Sequence, residues 1–197
     1  MARLLADRYG LTAYNYDYHD ARGHDDRRIA RRIKLGHSPD TPDLDATWVN
    51  TTPQDMAAET LAGFPVRFEW ALDDLCALVS GRPIIAEGWG LRPELVAPIS
   101  DSPRQMVVMV PTQEFRDRQL RELTRAATVR HGVSDPARAQ RNRLERDRLV
   151  ADDAVRSARR LGIRVIEVDG TRDAASVADD VADHFRPYLP SPEDRKP

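Results

Sequence analysis

The spacing of apolar and polar residues along the chain predicts short strands separated by helices. Two apolar runs, Pro83–Ala86 and Met106–Val110, contain no polar residue and are typical of strands buried on both faces of a parallel sheet. Leu11–Tyr16 and Ile163–Val168 carry residues that favour strands and complete a set of four. Because strands alternate with helices, we predict an α/β fold with a mainly parallel sheet.

The helices are predicted from apolar positions at helical spacing and from start and stop signals. The first ten residues predict a helix that ends at Gly10, and Thr52-Pro53 predicts a helix start. Apolar residues at 68, 72, 75, 76 and 79 form a helical stripe, which places Cys76 in the core. Further helices are predicted over Arg27–Leu35, from Thr112 through Leu123, along an arginine-rich stretch to about Arg160, and over Ala174–Phe185.

Composition narrows the class of protein. A chain of 197 residues with 41% apolar and 31% charged residues is typical of one globular domain, which we place at 1–189, with 190–197 as a flexible tail. A net charge of −2 gives no general attraction to nucleic acid or to anionic membranes. The single cysteine cannot form an internal disulfide, and no apolar run approaches the roughly 18 residues of a membrane helix. We therefore expect a cytoplasmic protein that binds neither nucleic acid nor membrane.

Acidic residues follow three of the four predicted strands. Asp17 follows the first strand, Glu87 ends the second, and Asp169 follows the fourth. Because ligands bind at the carboxyl ends of strands in open α/β sheets, these carboxylates point to a site that handles a metal ion or a hydroxyl proton. The residues that follow the strands are Tyr16-Asp17-Tyr18-His19-Asp20, Glu87-Gly88-Trp89-Gly90, Pro111-Thr112 and Asp169-Gly170-Thr171.

Each of these features also has a structural interpretation. Asp17 and Asp20 could bind a metal ion together with His19 and His24, but we favour a solvated turn in which His24-Asp25-Asp26 starts the next helix. Glu87 is either a site carboxylate or the acceptor of a turn, and Trp89 either lines a pocket or covers the sheet edge.

The stretch Arg116–Arg148 contains ten arginines against five acidic residues. Such a run is usually the solvated face of a helix. The functional alternative is a mobile lid whose guanidinium groups close over phosphates. Binding of nucleic acid is the third interpretation, and it lacks interleaved aromatic residues, since only Phe115 lies nearby.

The order of these features resembles that of the P-loop kinases of small molecules and nucleotides, such as adenylate, cytidylate, shikimate and gluconate kinases, and of related AAA family ATPases. The shared order runs through a helix, a strand ending in Asp, a strand ending in Glu-Gly, an apolar strand with Pro-Thr, an arginine-rich lid and a strand ending in Val-Asp-Gly-Thr. It covers the chain from Ala2 to about Leu189. The resemblance implies a three-layer P-loop kinase-like fold with a helical lid at about 116–160.

The resemblance also implies roles for individual residues. Asp17 and Glu87 correspond to the carboxylates that touch the acceptor hydroxyl or Mg²⁺, and we expect His19, Asp20 and Trp89 to contact the substrate. The resemblance further implies a lid and a nucleotide-binding loop. Arg118 is similar to the arginine that stacks on adenine. Arg143, Arg146 and Asp147 resemble the returning motif of the lid, in which Arg146 would have a catalytic role. Asp169, Gly170 and Thr171 resemble the loop that lies beside the base.

The defining phosphate loop of the family, Gly-x-x-x-x-Gly-Lys-Ser/Thr, does not occur in this sequence. Family members have that loop directly before the segment that Met1–Ala6 resembles. The resemblance therefore implies a member that lacks about 20 residues, comprising the first, central strand, the loop and the start of the first helix. We expect an unfilled position between the second and third predicted strands, and little or no binding of ATP and Mg²⁺ by these 197 residues.

Three functions are compatible with the sequence. The first is a phosphotransferase or NTPase of the P-loop kind, truncated at its N-terminus, that uses ATP and Mg²⁺ on a small-molecule acceptor when complete. The second is a non-catalytic protein on the same scaffold that acts through its surface, as a homodimer for example. The third is a metal-dependent or acid-dependent hydrolase built on Asp17, His19 and Glu87.

Overall fold

Four short strands form two separate parallel pairs. The structure is a computed structural model that describes residues 1–40, 43–122 and 132–191. Strand β1 (Thr12–Asn15) pairs with β2 (Ile84–Glu87), and β3 (Val107–Pro111) pairs with β4 (Arg164–Val168). Within the described ranges, β2 and β3 are not hydrogen-bonded to each other. The fold is therefore mixed α/β with parallel pairing, as predicted.

The strand predictions are confirmed in position but not in burial. All four strands lie within one or two residues of the predicted ranges. The expectation that β2 is buried on both faces is wrong, because Ile84 is 39% exposed and alternate residues of the strand face solvent. A strand in a two-stranded sheet has a neighbour on only one side, so its other edge and the adjoining side chains are less covered.

Helices fill most of the remaining described chain, and several begin or end where the sequence predicts. The helix over Ala174–Phe185 matches its prediction, and the predicted start at Thr52-Pro53 and the stripe from Phe68 belong to a single helix that contains Pro65. In the described ranges, the α-helices of four or more residues are α1 (Ala2–Tyr9), α2 (Asp25–Lys34), α3 (Pro53–Ala77), α4 (Pro93–Val96), α5 (Gln113–Glu122), α6 (Pro136–Arg160) and α7 (Ala174–Phe185). Parts of three predictions lie outside the described residues: Leu123 as a helix end, 123–131 of the lid, and 192–197 of the tail.

Helix ends are fixed by local side chains and by one glycine. Gly10 ends α1 in the left-handed region with φ 67°, a conformation that glycine adopts without steric cost. The Thr52 hydroxyl accepts a hydrogen bond of 3.1 Å from the backbone N–H of Asp55 and caps α3. These ends confirm the predicted signals.

Helices cover both faces of the strand pairs. Val107 and Met109 of β3 pack with α1 and α7 in a cluster around Leu5, whereas Val108 packs against α6. Ile85 of β2 joins the cluster around Leu5 as well. The two strand pairs are therefore joined by one shared apolar cluster.

The prediction of an apolar stripe that is buried along α3 is wrong at the C-terminal end of that helix. Cys76 is exposed, and Val79 lies beyond the end of α3 and is fully exposed. The buried face of α3 instead runs through Phe64, Phe68 and Ala71, because the position of a helix against its neighbours sets which side of it is covered. None of the helices in the described ranges combines the length and apolar character needed to cross a bilayer.

Candidate functional site

Two carboxylates stand at the carboxyl end of the β1–β2 pair. Oδ1 of Asp17 accepts a hydrogen bond of 3.1 Å from the backbone N–H of Trp89. Oε2 of Glu87 accepts one of 2.9 Å from the backbone N–H of Ala2, and Oε1 accepts one of 3.3 Å from the Asn15 amide. Glu87 thus stabilises the first turn of α1, while Asp17 anchors the segment after β2.

The surroundings move the pKa values of these carboxylates in opposite directions. Loss of water contact around its carboxyl group raises the pKa of Asp17, and the charges of Asp20 and Glu87 raise it further. Partial burial acts to raise the pKa of Glu87, but hydrogen bonds from the Ala2 N–H and the Met1 amine outweigh it, so the pKa of Glu87 is lowered. Carboxylates whose pKa values are driven apart are suited to different roles in proton transfer.

Glycine is needed on both sides of Trp89 because this segment lies directly on Tyr16. Gly88 has φ 145°, and a Cβ there would lie 2.6 Å from the Tyr16 Cβ. A Cβ at Gly90 would overlap the Tyr16 ring. The Tyr16 ring therefore sets how closely the Trp89 segment approaches Asp17.

Asp20 and Tyr16 bring unsatisfied polar atoms to the same end of the sheet. Asp20 is 8% exposed, and its Oδ2 accepts a hydrogen bond of 3.2 Å from Arg67. Its Oδ1 has an Arg28 nitrogen at 3.6 Å but no hydrogen bond within the described ranges, and the buried Tyr16 hydroxyl has none either. Buried polar atoms without partners are rare in proteins and call for a specific explanation.

Arg146 lies between two indole rings at this site. Its guanidinium carbon is 5.0 Å from the Trp48 ring centre and 5.4 Å from that of Trp89, which contacts Phe64 edge-on. The Arg146 side chain is 14% exposed and pairs with Asp147 at 2.6 Å. The predicted lid arginine is therefore packed against Trp89, the residue whose backbone N–H bonds to Asp17.

The two histidines of this region share one carboxylate that the sequence did not single out. His24 donates a hydrogen bond of 2.8 Å to Oδ2 of Asp74, and Tyr14 donates one of 2.9 Å to the same atom. His19 stacks on Tyr14 and places its Nδ1 at 3.6 Å from that oxygen. The prediction of a solvated turn is wrong for His24, whose ring is buried with its bond to α3, but the predicted helix start is confirmed, since α2 begins at Asp25.

The predicted nucleotide-binding residues gather at the carboxyl end of the other strand pair. Arg118 donates a hydrogen bond of 3.2 Å to the backbone oxygen of Asp169, and the carboxylate of Asp169 accepts one of 2.9 Å from the Thr171 N–H. That N–H lowers the pKa of Asp169. Gly170 has φ 73°, and a Cβ there would overlap Arg118. The structure thus joins α5 to the loop after β4.

Arg143 lies on α6, in the same arginine-rich stretch as Arg146. Its Nε donates a hydrogen bond of 3.2 Å to Gln140 on the same helix, one turn before Arg146. In the described ranges, no three His, Cys, Asp or Glu side chains lie close enough together to hold a metal ion. Asp17 and Glu87 are therefore not part of a three-residue metal-binding cluster in these ranges.

No protein-family model, curated protein or solved structure matches the chain. The contacts described above therefore define the candidate site, which consists of two groups of residues at the carboxyl ends of the two strand pairs. One contains Asp17, Asp20, Glu87, Trp89 and Arg146, and the other contains Arg118, Asp169, Gly170 and Thr171.

Proposed function

We propose that this chain provides the scaffold of an ATP-dependent phosphotransferase of the P-loop kinase kind, in which a central strand and its phosphate loop belong between β2 and β3. The observation that carries the proposal is the arrangement of the strands. Both pairs pack on the cluster around Leu5, yet no ladder joins β2 to β3 in the described ranges. One parallel strand between them would turn the two pairs into a single sheet.

Energetics favour a strand in that position. A buried backbone group without a partner costs about 1–3 kcal/mol, whereas domains are stable by only about 5–15 kcal/mol. Ile85, Val107 and Met109 pack on the shared cluster from strands that each pair along one edge only within the described residues. A strand in this position would pair those edges and cover the partly exposed apolar side chains.

The chemistry at the strand ends supports the same function. Asp17 and Glu87 offer the carboxylate oxygens that Mg²⁺ prefers, and Mg²⁺ keeps several of its water ligands. Mg²⁺ would supply charge neutralisation on the transferred phosphoryl group. Arg118, which donates a hydrogen bond to the backbone oxygen of Asp169, would stack on a base at the other strand pair.

The experiment adds the strand with its phosphate loop and measures the effect on stability and on ATP binding. A segment of about 20 residues with an apolar strand and a Gly-x-x-x-x-Gly-Lys-Ser loop is fused before Met1, and the matched control carries Ala in place of the loop Lys. We expect both extended chains to unfold at higher urea concentration than the 197-residue chain. Only the chain with Lys should bind ATP and Mg²⁺ at micromolar concentration by calorimetry.

Two results would count against the proposal. Micromolar ATP binding by the 197 residues alone would mean that a different phosphate site exists, because a phosphate loop supplies several charge-assisted bonds of about 1.5–3 kcal/mol each. Extended chains that are no more stable than the parent would mean that no strand belongs between β2 and β3.

A further inference from the structure

A cavity lies at the amino end of the β3–β4 pair, opposite the loop of Asp169. Its volume is about 430 Å³, which is within the range of roughly 300–1,000 Å³ for small-molecule sites. Arg104 lines it from the segment before β3, and Gly162 and Arg164 line it from the start of β4. Because Asp169 follows the other end of β4, this cavity is separate from the predicted nucleotide-binding loop.

The end of α7 closes another side of the cavity. His184 lies in the last turn of α7, and Pro187 follows that helix. Nε2 of His184 donates a hydrogen bond of 3.0 Å to the backbone oxygen of Met106, directly before β3. The cavity is therefore built from three segments that are distant in sequence and are held together by this bond and by the β3–β4 ladder.

Two guanidinium groups in the cavity wall have no carboxylate partner. In the described ranges, neither Arg104 nor Arg164 forms an ion pair. The C-terminal ends of α6 and α7 add partial negative charge here, roughly half a unit each, which is less than the two full charges of the guanidinium groups. The cavity therefore keeps a net positive charge.

The acidic side chains in this region have other cationic partners. Asp183, which also lines the cavity, pairs with Arg186. Asp180, which lies within electrostatic range of Arg164, pairs with Arg172. An anion that enters the cavity would therefore meet uncompensated guanidinium groups.

Both guanidinium groups act on the same histidine ring. Burial lowers the pKa of His184, and the charges of Arg164 and Arg104 lower it further, although the bond to Met106 acts in the opposite direction. Arg104 and Arg164 therefore lie close to one ring, even though one precedes β3 and the other begins β4. An anion bound between them would offset their charges and raise the pKa of His184.

We propose that this cavity binds a small organic phosphate through Arg104 and Arg164. A phosphate monoester offers three acceptor oxygens and nearly two negative charges near neutral pH, so it can accept bonds from two guanidinium groups at once. A carboxylate has only two oxygens, which one guanidinium fork already satisfies. Pro103 and Pro187 line the remaining space and supply apolar surface for the organic part of the ligand. This site goes beyond the proposed function and does not depend on it.

The test compares phenyl phosphate, inorganic phosphate and benzoate at pH 7.5 and constant ionic strength. Histidine ring signals are followed by NMR, and the signal of His184 is assigned by its loss in His184→Gln. We expect phenyl phosphate to shift that signal saturably and to raise the pKa of His184. Phenyl phosphate should bind at least fivefold more tightly than benzoate, which has the ring but a carboxylate, and at least twofold more tightly than inorganic phosphate, which lacks the ring.

Arginine variants locate the binding. Arg104→Gln and Arg164→Gln should each weaken binding of phenyl phosphate at least fivefold. Arg141→Gln is the matched control, because Arg141 is also exposed but lies in the first half of α6, whereas the cavity lies beyond the end of that helix. It should leave the affinity unchanged. Arg104 and Arg164 are both exposed, so their variants should fold, which circular dichroism checks.

The inference would be overturned if phenyl phosphate did not bind saturably, if benzoate or inorganic phosphate bound as tightly, or if the three arginine variants had equal effects. A failure here is separate from a failure of the proposed phosphotransferase. That function is measured by ATP binding to the extended chain, which depends on the Lys of the added loop and not on Arg104 or Arg164.

Discussion

Gly90→Ala tests whether the Trp89 segment is held by Tyr16. A Cβ at Gly90 would overlap rigid ring atoms of Tyr16, and Tyr16 is fully buried, so the ring has no free space to enter. Overpacking of a well-packed core costs about 1–3 kcal/mol. Since the contact is with the rigid ring, we expect a loss in the upper half of that range, about 2–3 kcal/mol.

The assay is urea unfolding followed by far-ultraviolet circular dichroism. With a slope of about 2 kcal/mol per molar urea, the midpoint of Gly90→Ala should fall by about 1 M or more. Gly81→Ala is the matched control, because a Cβ at Gly81 meets no atom within 4 Å. Its free energy of unfolding should stay within about 0.5 kcal/mol of the parent.

A second change separates the overlap from other effects of the substitution. Tyr16→Leu removes the ring, so Gly90→Ala should cost at least about 1 kcal/mol less in that background than in the parent. The reasoning is refuted if Gly90→Ala and Gly81→Ala have equal midpoints, or if the cost of Gly90→Ala is the same with and without the Tyr16 ring.

Three further predictions use the same unfolding assay. Asp17→Asn should raise the free energy of unfolding at neutral pH, because the raised pKa of Asp17 means that its charge disfavours the folded state. The gain should be no more than about 0.5 kcal/mol, since solvent screens this exposed group, and it should disappear as pH falls below that pKa. A loss of stability would contradict this. Asp74→Asn should cost about 1–3 kcal/mol near pH 7. Burial acts to raise the pKa of Asp74, but bonds from Tyr14 and His24 lower it overall, so the cost should shrink below about pH 4; an equal cost at both pH values would be inconsistent. Arg146→Ala should lose about 1–2 kcal/mol and alter tryptophan fluorescence, while Arg141→Ala, exposed on the same helix, should do neither.

The elements of the fold could be predicted because their signals are local. Gly10 and Thr52 mark helix ends through their own backbone and hydroxyl groups, and the apolar runs mark the strands. Burial could not be predicted in the same way. Spacing alone places Cys76 in the core, but the side of α3 that is covered depends on where Tyr14 and Tyr16 pack against Ala71.

In the candidate site, too, residues with a local signal could be predicted, and residues that act through long-range contacts could not. Asp17 and Glu87 could be found because carboxylates at strand ends are a local pattern. Asp74 carried no such signal, since it joins His24 and Tyr14 across 50 and 60 positions of the chain. The packing of Arg146 on Trp48 likewise depends on a long-range contact, which neither interpretation of the arginine-rich stretch, a solvated helical face or a mobile lid, could predict from local sequence.

The shared cluster around Leu5 has a mechanical consequence. A backbone ladder resists displacement because each step breaks hydrogen bonds, whereas a packed apolar interface permits small shear movements. In the described ranges the two strand pairs are joined through Leu5, Ala6 and Leu11 and have no ladder between them. The distance between Asp17 and Arg118 therefore depends in part on the packing around Leu5, so that a change of side-chain shape at Leu5 would alter that distance.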